Sequence, residues 1–360
     1  MKRVKWFYAI DNKLLTAIIT LMIIGFIMTL AASPAVAERI SVSQFHFIEK
    51  QIIYFLTALF CIITISALNE SVIKKIISIS FVLTIIMLIS VLFFGDITKG
   101  ARRWLNIYGF SLQPSEFLKP FYACVIAMIL SSDRKQDKLE VFLILVGLHL
   151  LIVFLLLMQP DFGMTVLVST IFSIQLFIAG IKILWLLILG CIFLLGSVLV
   201  YSLFPHVARR IETFLSTSDN AVSYQVQKSL ESYANGGLFG KGPGEGTIKY
   251  QLPDAHTDFI FPVAVEELGA IFGLFIIILM MYIIIKSFIA IMQTKYNLYT
   301  VYAAVGIICY FAIQSIFNIA VTLHLVPTKG MTLPFISYGG SSLIAQGISF
   351  GIYLNLTKNN

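Results

Sequence analysis

Three acidic residues stand at the entrance to one of the most apolar stretches of this sequence. Asp258 ends the polar segment 254–258, and Glu266 and Glu267 follow within the apolar stretch. Ionisable groups at membrane depth are costly, so they usually face a cavity and take part in function. A carboxylate in such a place can act as a general base toward a substrate hydroxyl. The alternative is structural, with Asp258 capping a helix N-terminus.

Basic residues mark a second polar segment. Arg102 and Arg103 are adjacent, and Glu116 and Lys119 are three residues apart, so the latter pair shares one face of a predicted helix. Arginine and lysine are the side chains that a phosphate or pyrophosphate group requires. Two structural alternatives remain open, an ion pair within the helix and an anchor at the membrane interface.

A glycine-rich segment at 235–246 contains Lys241. Glycine lets backbone amides approach an anion closely. The segment is not a Walker A nucleotide-binding loop, because Gly242 follows Lys241 where that motif requires serine or threonine. A flexible loop without a ligand is the alternative interpretation.

Two further charged residues, Asp161 and Lys329, are predicted to lie on the same side of the membrane as these segments. The small residues at 339–342 favour close helix packing rather than chemistry. The five histidines show no metal-ligand spacing, and the four cysteines lie in apolar stretches as buried side chains would.

The elements that must position these groups are membrane-spanning helices. The chain has 360 residues, of which 59% are hydrophobic and 12% charged, and its mean hydropathy is +0.93. Soluble domains are typically about 45–50% apolar and about 25% charged. Uniform apolar runs such as 76–94 lack the alternation of a membrane β-strand. We therefore expect an all-α polytopic membrane protein.

We predict a single membrane domain over residues 1–360, with about ten helices. Each apolar stretch is close to the roughly 20 residues that cross a bilayer. A helix starting at 257 would place Asp258 and Glu266 about 80° apart, with Glu267 pointing away and Pro262 kinking the helix. The interval 205–256 is predicted as a long functional loop. The predicted helices span 14–33, 52–68, 76–94, 117–131, 139–158, 162–179, 183–204, 257–285, 299–323 and 334–356.

Basic residues predict the orientation in the membrane. Lys2, Arg3, Lys5 and Lys13 precede the first apolar stretch, which favours a cytoplasmic N-terminus. An even number of spans returns the C-terminus to the same side and leaves the candidate site residues on the outer face. The formal charge of +7 comes without a basic arm, so it does not indicate nucleic-acid binding.

Six motifs follow one another along the chain: Gly100-Ala-Arg-Arg-Trp104, Gln113-Pro-Ser-Glu-Phe-Leu-Lys119, Gln159-Pro-Asp-Phe-Gly163, Ala255-His-Thr-Asp-Phe-Ile-Phe261, Glu266-Glu-Leu-Gly269 and Pro334-Phe-Ile-Ser-Tyr-Gly-Gly-Ser-Ser342. Together they resemble the SEDS family of shape, elongation, division and sporulation proteins. The resemblance runs from about residue 10 to 356. Within the family, segments 254–258 and 325–334 look more like the division member than the elongation member.

The resemblance implies a peptidoglycan glycosyltransferase that polymerises lipid II into glycan strands on the outer face of the cytoplasmic (inner) membrane, at the division septum. It also implies a complex with an FtsI-like class B penicillin-binding transpeptidase and with regulatory division proteins. The essential aspartate of the family corresponds by motif to Asp258.

On this reading, Asp258 takes the proton of the GlcNAc 4-hydroxyl while cations neutralise the departing pyrophosphate. A divalent cation could share that neutralising role, although the sequence contains no dedicated metal site. Candidates for binding or orienting the substrate are Arg102, Arg103, Glu116, Lys119, Asp161, Lys241, Glu266 and Lys329.

Two rival functions remain, a lipid II flippase and a non-catalytic scaffold for the transpeptidase. Inverted repeats with broken helices would favour a transporter, and none is evident.

Overall fold

The computed structural model is a bundle of long helices with a small sheet and polar loops at one end. It describes residues 8–98, 101–107, 109–132, 138–203, 224–293 and 296–358, together with 208, 212 and 214. The predicted all-α membrane architecture is confirmed. The helices are α1 (Asn12–Arg39), α2 (His46–Ala67), α3 (Glu70–Phe94), α4 (Pro114–Leu130), α5 (Lys138–Met158), α6 (Phe162–Ile178), α7 (Ile183–Leu203), α8 (Tyr224–Gly236), α9 (Ile260–Gln293), α10 (Leu298–Thr322) and α11 (Gly340–Leu356).

Six of the described helices are long and apolar enough to cross a membrane by length and composition, namely α1, α2, α3, α5, α9 and α10. The shorter helix α6 is also apolar. Each predicted span coincides with one observed helix, with ends shifted by several residues. The exact number of membrane crossings stays a prediction.

A three-stranded antiparallel sheet, which the sequence did not predict, lies between α3 and α4. Its strands are β1 (Asp96–Thr98), β2 (Ala101–Ile107) and β3 (Phe110–Leu112), in that spatial order. Successive side chains of a strand point to opposite faces. Arg102 and Arg103 therefore point in different directions from β2, and only Arg103 is partly buried.

The described part of the interval 205–256 is structured rather than one long loop. Helix α8 packs against α9 and α10, and a short 3-10 turn spans Ile248–Tyr250. The Ser229 hydroxyl donates to the Thr322 carbonyl at 2.7 Å, and the hydroxyls of Tyr233 and Thr322 share a 2.7 Å hydrogen bond. The rest of this predicted loop, and the basic residues at 2–5, lie outside the described residues.

Helix α9 begins later than predicted and breaks elsewhere. It starts at Ile260, so Asp258 precedes the helix and the predicted angle between Asp258 and Glu266 does not apply. The predicted kink at Pro262 is also wrong, because a proline in the first turn lacks only an N–H that has no helical partner. The non-helical residue is Gly269, with φ 86° and ψ 167°. A Cβ there would overlap the Leu238 carbonyl of the crossing glycine-rich segment.

The core is formed by helices that approach each other closely at glycines. In α11, a Cβ on Gly347 would lie 2.7 Å from the Ala58 carbonyl oxygen of α2, which real side chains do not tolerate. A Cβ on Gly340 would overlap the Tyr54 ring. Among the small residues at 339–342, Gly340 therefore has the predicted packing role. The largest fully buried side chains of the bundle include Tyr122, Tyr310, Tyr353, Phe172, Phe311 and Phe350.

Candidate active site

Most of the predicted site residues gather around the 326–339 loop, which joins α10 to α11. Two neighbouring residues of this loop touch two different groups. The Lys329 ammonium lies 3.0 Å from Asp161 Oδ1. The Asp258 carboxylate lies against Gly330 so closely that a Cβ at Gly330 would overlap it. The loop therefore brings the predicted base and the predicted cations to one place.

Asp258 is half-buried in the turn that precedes α9. Its backbone carbonyl accepts a 2.9 Å hydrogen bond from Asn318 Nδ2. The preceding carbonyls are held as well, because the Ser337 hydroxyl donates to Thr257 O at 2.6 Å and the Tyr338 N–H donates to His256 O at 2.9 Å. The backbone that carries the carboxylate is therefore attached to α10 and to the 326–339 loop.

His256 supports this turn by packing. Its ring lies 4.6 Å from the Phe47 ring and 5.1 Å from the Tyr338 ring, measured between centroids. Burial lowers the pKa of His256 to about 4, and the Arg39 charge acts in the same direction. The imidazole is therefore neutral at pH 7, and it packs between the Phe47 and Tyr338 rings in the turn that contains Asp258.

Asp161 collects two of the cations. It caps α6 by accepting a 3.3 Å hydrogen bond from the Met164 N–H. Arg103 Nε lies 3.8 Å from Asp161 Oδ2, and the guanidinium donates to the carbonyls of Gln159 and Pro160. Burial alone would raise the pKa of Asp161, but Lys329 and Arg103 together hold it below its ordinary value. Asp161 is therefore an ionised partner for both cations.

Lys119 completes the cationic group from within α4. Its ammonium donates to Glu116 Oε2 at 2.7 Å and to Gln314 Oε1 at 2.8 Å, and it lies 4.5 Å from the Tyr310 ring centroid. The ion pair within the helix, which the sequence left open as the structural alternative for these two residues, is present. Burial lowers the pKa of Lys329, which Asp161 opposes and which the positive charges of Arg103 and Lys119 reinforce. Lys329 is thus within electrostatic reach of both Arg103 and Lys119.

Two predicted cations lie apart from this group. Arg102 is exposed on the opposite face of β2 and donates to the Leu92 carbonyl at 3.0 Å, near the C-terminus of α3. Lys241 is exposed on the glycine-rich segment, and its backbone N–H donates to the Glu266 carbonyl at 2.9 Å. The fold thus separates Arg102 and Lys241 from the charges around Asp161.

Glu266 is fully buried, and protein donors occupy both of its carboxylate oxygens. Oε1 accepts from the backbone N–H groups of Thr247 and Ile248, each at 3.1 Å. Oε2 accepts from the Ser232 hydroxyl at 3.1 Å. This arrangement ties α8 and the segment before the 3-10 turn to α9.

Glu267 completes the same attachment. Its carboxylate accepts from Lys249 Nζ at 2.7 Å and from the Gly244 N–H at 2.9 Å. Lys249 also donates to the carbonyls of Gly244 and Ala31, at 2.8 and 3.1 Å. The prediction that Glu267 points away from its neighbour is wrong, since both glutamates hold the glycine-rich segment. That segment is therefore fastened to α9 rather than free.

Sequence reasoning missed four residues that shape the site, namely Gln314, Asn318, Gly330 and Thr332. A usable indication was present for the two amides, because Gln314 and Asn318 are polar residues one turn apart inside the apolar stretch of α10. Among the residues that the structure describes, no group of three or more His, Cys, Asp or Glu is arranged to hold a metal ion. The geometry offers a half-buried carboxylate near one buried and two partly buried cations, which suits acid–base chemistry on an anionic substrate.

Fold and site together define a multi-pass membrane protein with a charged site at one end of its helix bundle. Residues 12–360 match the family FTSW_RODA_SPOVE, described as cell cycle proteins, and the chain belongs to that family.

Its curated relatives include the probable peptidoglycan glycosyltransferase FtsW of Caulobacter vibrioides, 38% identical over 354 residues, which cover 98% of this chain and 90% of that protein. Stage V sporulation protein E of Bacillus subtilis is 34% identical over 357 residues, covering 96% of each chain. The predicted likeness to the division member is confirmed by the first of these.

Solved structures show the same fold. A chain described under "Structural coordination of polymerization and crosslinking by a peptidoglycan synthase complex" superposes with a TM-score of 0.79 and 23% identity, covering 97% of this chain and 98% of that one. The rod shape determining protein RodA of Thermus thermophilus superposes with a TM-score of 0.72 and 23% identity, covering 97% of each chain.

Proposed function

We propose that this protein is a peptidoglycan glycosyltransferase that polymerises lipid II into glycan strands. Family membership and the names of its curated relatives support this activity. The observation that carries the assignment to this site is the Asp258 carboxylate, which lies against Gly330 while the adjacent Lys329 reaches Asp161. A base and a set of cations thus meet on one loop.

In the proposed reaction, the GlcNAc 4-hydroxyl of lipid II attacks the anomeric carbon of the growing strand. The new glycosidic bond forms as the bond to the polyprenyl diphosphate breaks, and the diphosphate leaves with the bonding electron pair. Asp258 accepts the hydroxyl proton, which is worth about 10²–10⁴ in rate. Asp258 is half-buried rather than fully buried, so part of its surface is exposed.

The departing diphosphate is neutralised by Arg103, Lys119 and Lys329. With Glu116 and Asp161 as their partners, three cations face two carboxylates, and the site as a whole becomes net positive once Asp258 has accepted the hydroxyl proton. Cations that are fixed before the reaction stabilise developing negative charge without reorganisation. A divalent cation that accompanies the diphosphate would add to this charge, and rates measured with and without a chelator test its share.

We further propose that the site faces the outer side of the cytoplasmic membrane, with both termini cytoplasmic. Lipid II and the growing glycan strand then enter from the outer leaflet, at the division septum. A class B penicillin-binding transpeptidase is the proposed partner, together with division regulators. The structural relative whose complex coordinates polymerization and crosslinking supports such a pairing.

The test supplies lipid II directly to the purified protein in complex with its transpeptidase, in detergent, so that no membrane separates enzyme and substrate. Glycan strands resolved by gel electrophoresis are the expected product. A flippase or a scaffold would leave lipid II unpolymerised under these conditions, and that result would overturn the proposal.

A further inference from the structure

Helix α10 presents two buried amides toward the 326–339 loop. Gln314 and Asn318 are four residues apart, so they lie on one face of the helix, and only 1% and 2% of their surfaces are exposed. Amides buried in an apolar helix are costly unless hydrogen bonds compensate them. Both residues make such bonds, and each bonds to a different half of the proposed site.

Gln314 connects a cation to the loop. Its side-chain oxygen accepts from Lys119 Nζ at 2.8 Å, while its nitrogen donates to the carbonyl and hydroxyl of Thr332 at 2.9 and 3.1 Å. Thr332 in turn shares a 2.7 Å hydrogen bond with Ser342 at the start of α11. The position of Lys119 is therefore tied to the backbone of the loop.

Asn318 connects the base to the same loop. Its side-chain nitrogen donates to the Asp258 carbonyl at 2.9 Å and to the Met331 carbonyl at 2.5 Å. Met331 directly precedes Thr332 and follows the Lys329-Gly330 pair. One turn of α10 thus hydrogen-bonds to two adjacent loop residues. Asn318 bonds to Met331 and to the residue that carries the base, and Gln314 bonds to Thr332 and to the cation Lys119.

We infer that Gln314 and Asn318 are separate positioning residues, Gln314 for the cations that receive the diphosphate and Asn318 for the Asp258 base. This inference rests on the proposed glycosyltransferase function. It makes the two roles separable, because each amide can be removed without touching a charged residue. Loss of Gln314 then weakens substrate binding, and loss of Asn318 slows the chemical step.

The kinetic test uses Gln314→Met and Asn318→Leu in the complex with its transpeptidase. Matched controls are Gln175→Met and Asn355→Leu, whose amides are equally buried and donate to backbone carbonyls away from the 326–339 loop. In the first coupling, where lipid II is donor as well as acceptor, Gln314→Met should raise KM for lipid II about tenfold and change kcat less. Asn318→Leu should lower kcat by up to about 10²-fold, leave KM nearly unchanged and shift the acidic limb of the pH–rate profile.

Two measurements without turnover keep the inference testable even if the chain polymerises nothing. The first is the rise in unfolding temperature caused by undecaprenyl diphosphate, which measures binding of the diphosphate by the cations. This rise should be smaller in Gln314→Met but unchanged in Asn318→Leu. Hydrogen exchange at 254–259 and 326–339 reports the base and its loop, and it should rise in Asn318→Leu but not in Asn355→Leu.

The outcomes separate the two claims. Absent polymerisation by the wild-type complex would refute the proposed function, while the binding and exchange measurements still decide the positioning roles. Normal polymerisation with both variants behaving like their controls would refute the positioning roles alone. If both variants lowered kcat and raised KM to the same extent, the two amides would have a general structural role, which also contradicts the inference.

Discussion

Asp258 and the Glu266–Glu267 pair lie within nine residues of each other, and the fold uses them in opposite ways. The glutamates are fully buried, and their oxygens accept from backbone amides, a hydroxyl and Lys249. Asp258 is half-buried and lies against Gly330, a residue without a side chain.

This contrast shows that burial and charge alone do not distinguish a structural carboxylate from one that could act as a base. A carboxylate whose acceptor positions are occupied by protein donors stabilises the fold and has no free capacity for a substrate proton. The Asp258 carboxylate is instead half-buried, and the backbone that carries it is held by Asn318 and Ser337. The contacts therefore give the two glutamates a structural role, whereas the half-buried position of Asp258 agrees with the role of base that we propose for it.

The largest expected effect comes from Asp258→Asn, which keeps the shape and removes the base. Polymerisation of lipid II should fall by about 10²–10⁴, with little change in the temperature of unfolding because the backbone contacts remain. Asp254→Asn, four residues earlier in the polar segment 254–258, is the matched control and should keep most activity. Wild-type rates in Asp258→Asn would contradict the assignment of Asp258 as the base.

On the other side of the comparison, Glu267→Ala should affect stability. Lys249 is only 3% exposed, and this substitution removes the carboxylate that pairs with its ammonium group. Removing one partner of a buried ion pair costs about 3–5 kcal/mol. Denaturant unfolding of the detergent-solubilised protein measures this loss.

Adding Lys249→Met to Glu267→Ala should recover part of that stability, because no unpaired charge then remains. A Glu267→Ala protein as stable as the wild type would show that the ion pair does not hold the glycine-rich segment.

A smaller effect is expected when the space beside Asp258 is filled. In Gly330→Ala, the new Cβ overlaps the carboxylate and pushes it aside. We expect kcat to fall by about tenfold or more, since small misplacements of reacting groups are costly. Gly147→Ala in α5 is the control, because a Cβ there meets nothing within 4 Å. Unchanged kcat in Gly330→Ala would show that the observed carboxylate position is not the reactive one.

Asp161 provides an intermediate case, buried like the glutamates but paired with site cations. Its folded-state pKa lies below the ordinary value of 3.8, since Lys329 and Arg103 outweigh the effect of burial. A depressed carboxylate pKa adds stability that is present above the unfolded pKa and is lost as the pH falls through the folded value.

The difference in unfolding free energy between wild type and Asp161→Asn should therefore be constant near neutral pH and shrink below about pH 4. Unfolding measured from pH 7 to pH 3 tests this smallest effect. A difference that does not change with pH would show that Asp161 is not held ionised by its cations.

Much of the fold was predictable because apolar stretches of membrane length form helices wherever they occur. The predicted spans coincide with observed helices, and the ion pair left open as the structural alternative for Glu116 and Lys119 is present in the structure. The sheet at 96–112 was not predictable in this way, since its strands are short and are stabilised by pairing between strands rather than by a local pattern.

By itself, the sequence determined the class of protein, its family and the polar segments that carry chemistry, because hydropathy and ordered motifs are local properties of a chain. Only the tertiary structure decided that Lys329 meets Asp161, that Gly330 lies against Asp258, and that the glutamates are structural. These contacts join residues far apart in the chain. Their geometry depends on how α10, the 326–339 loop and the start of α9 pack together.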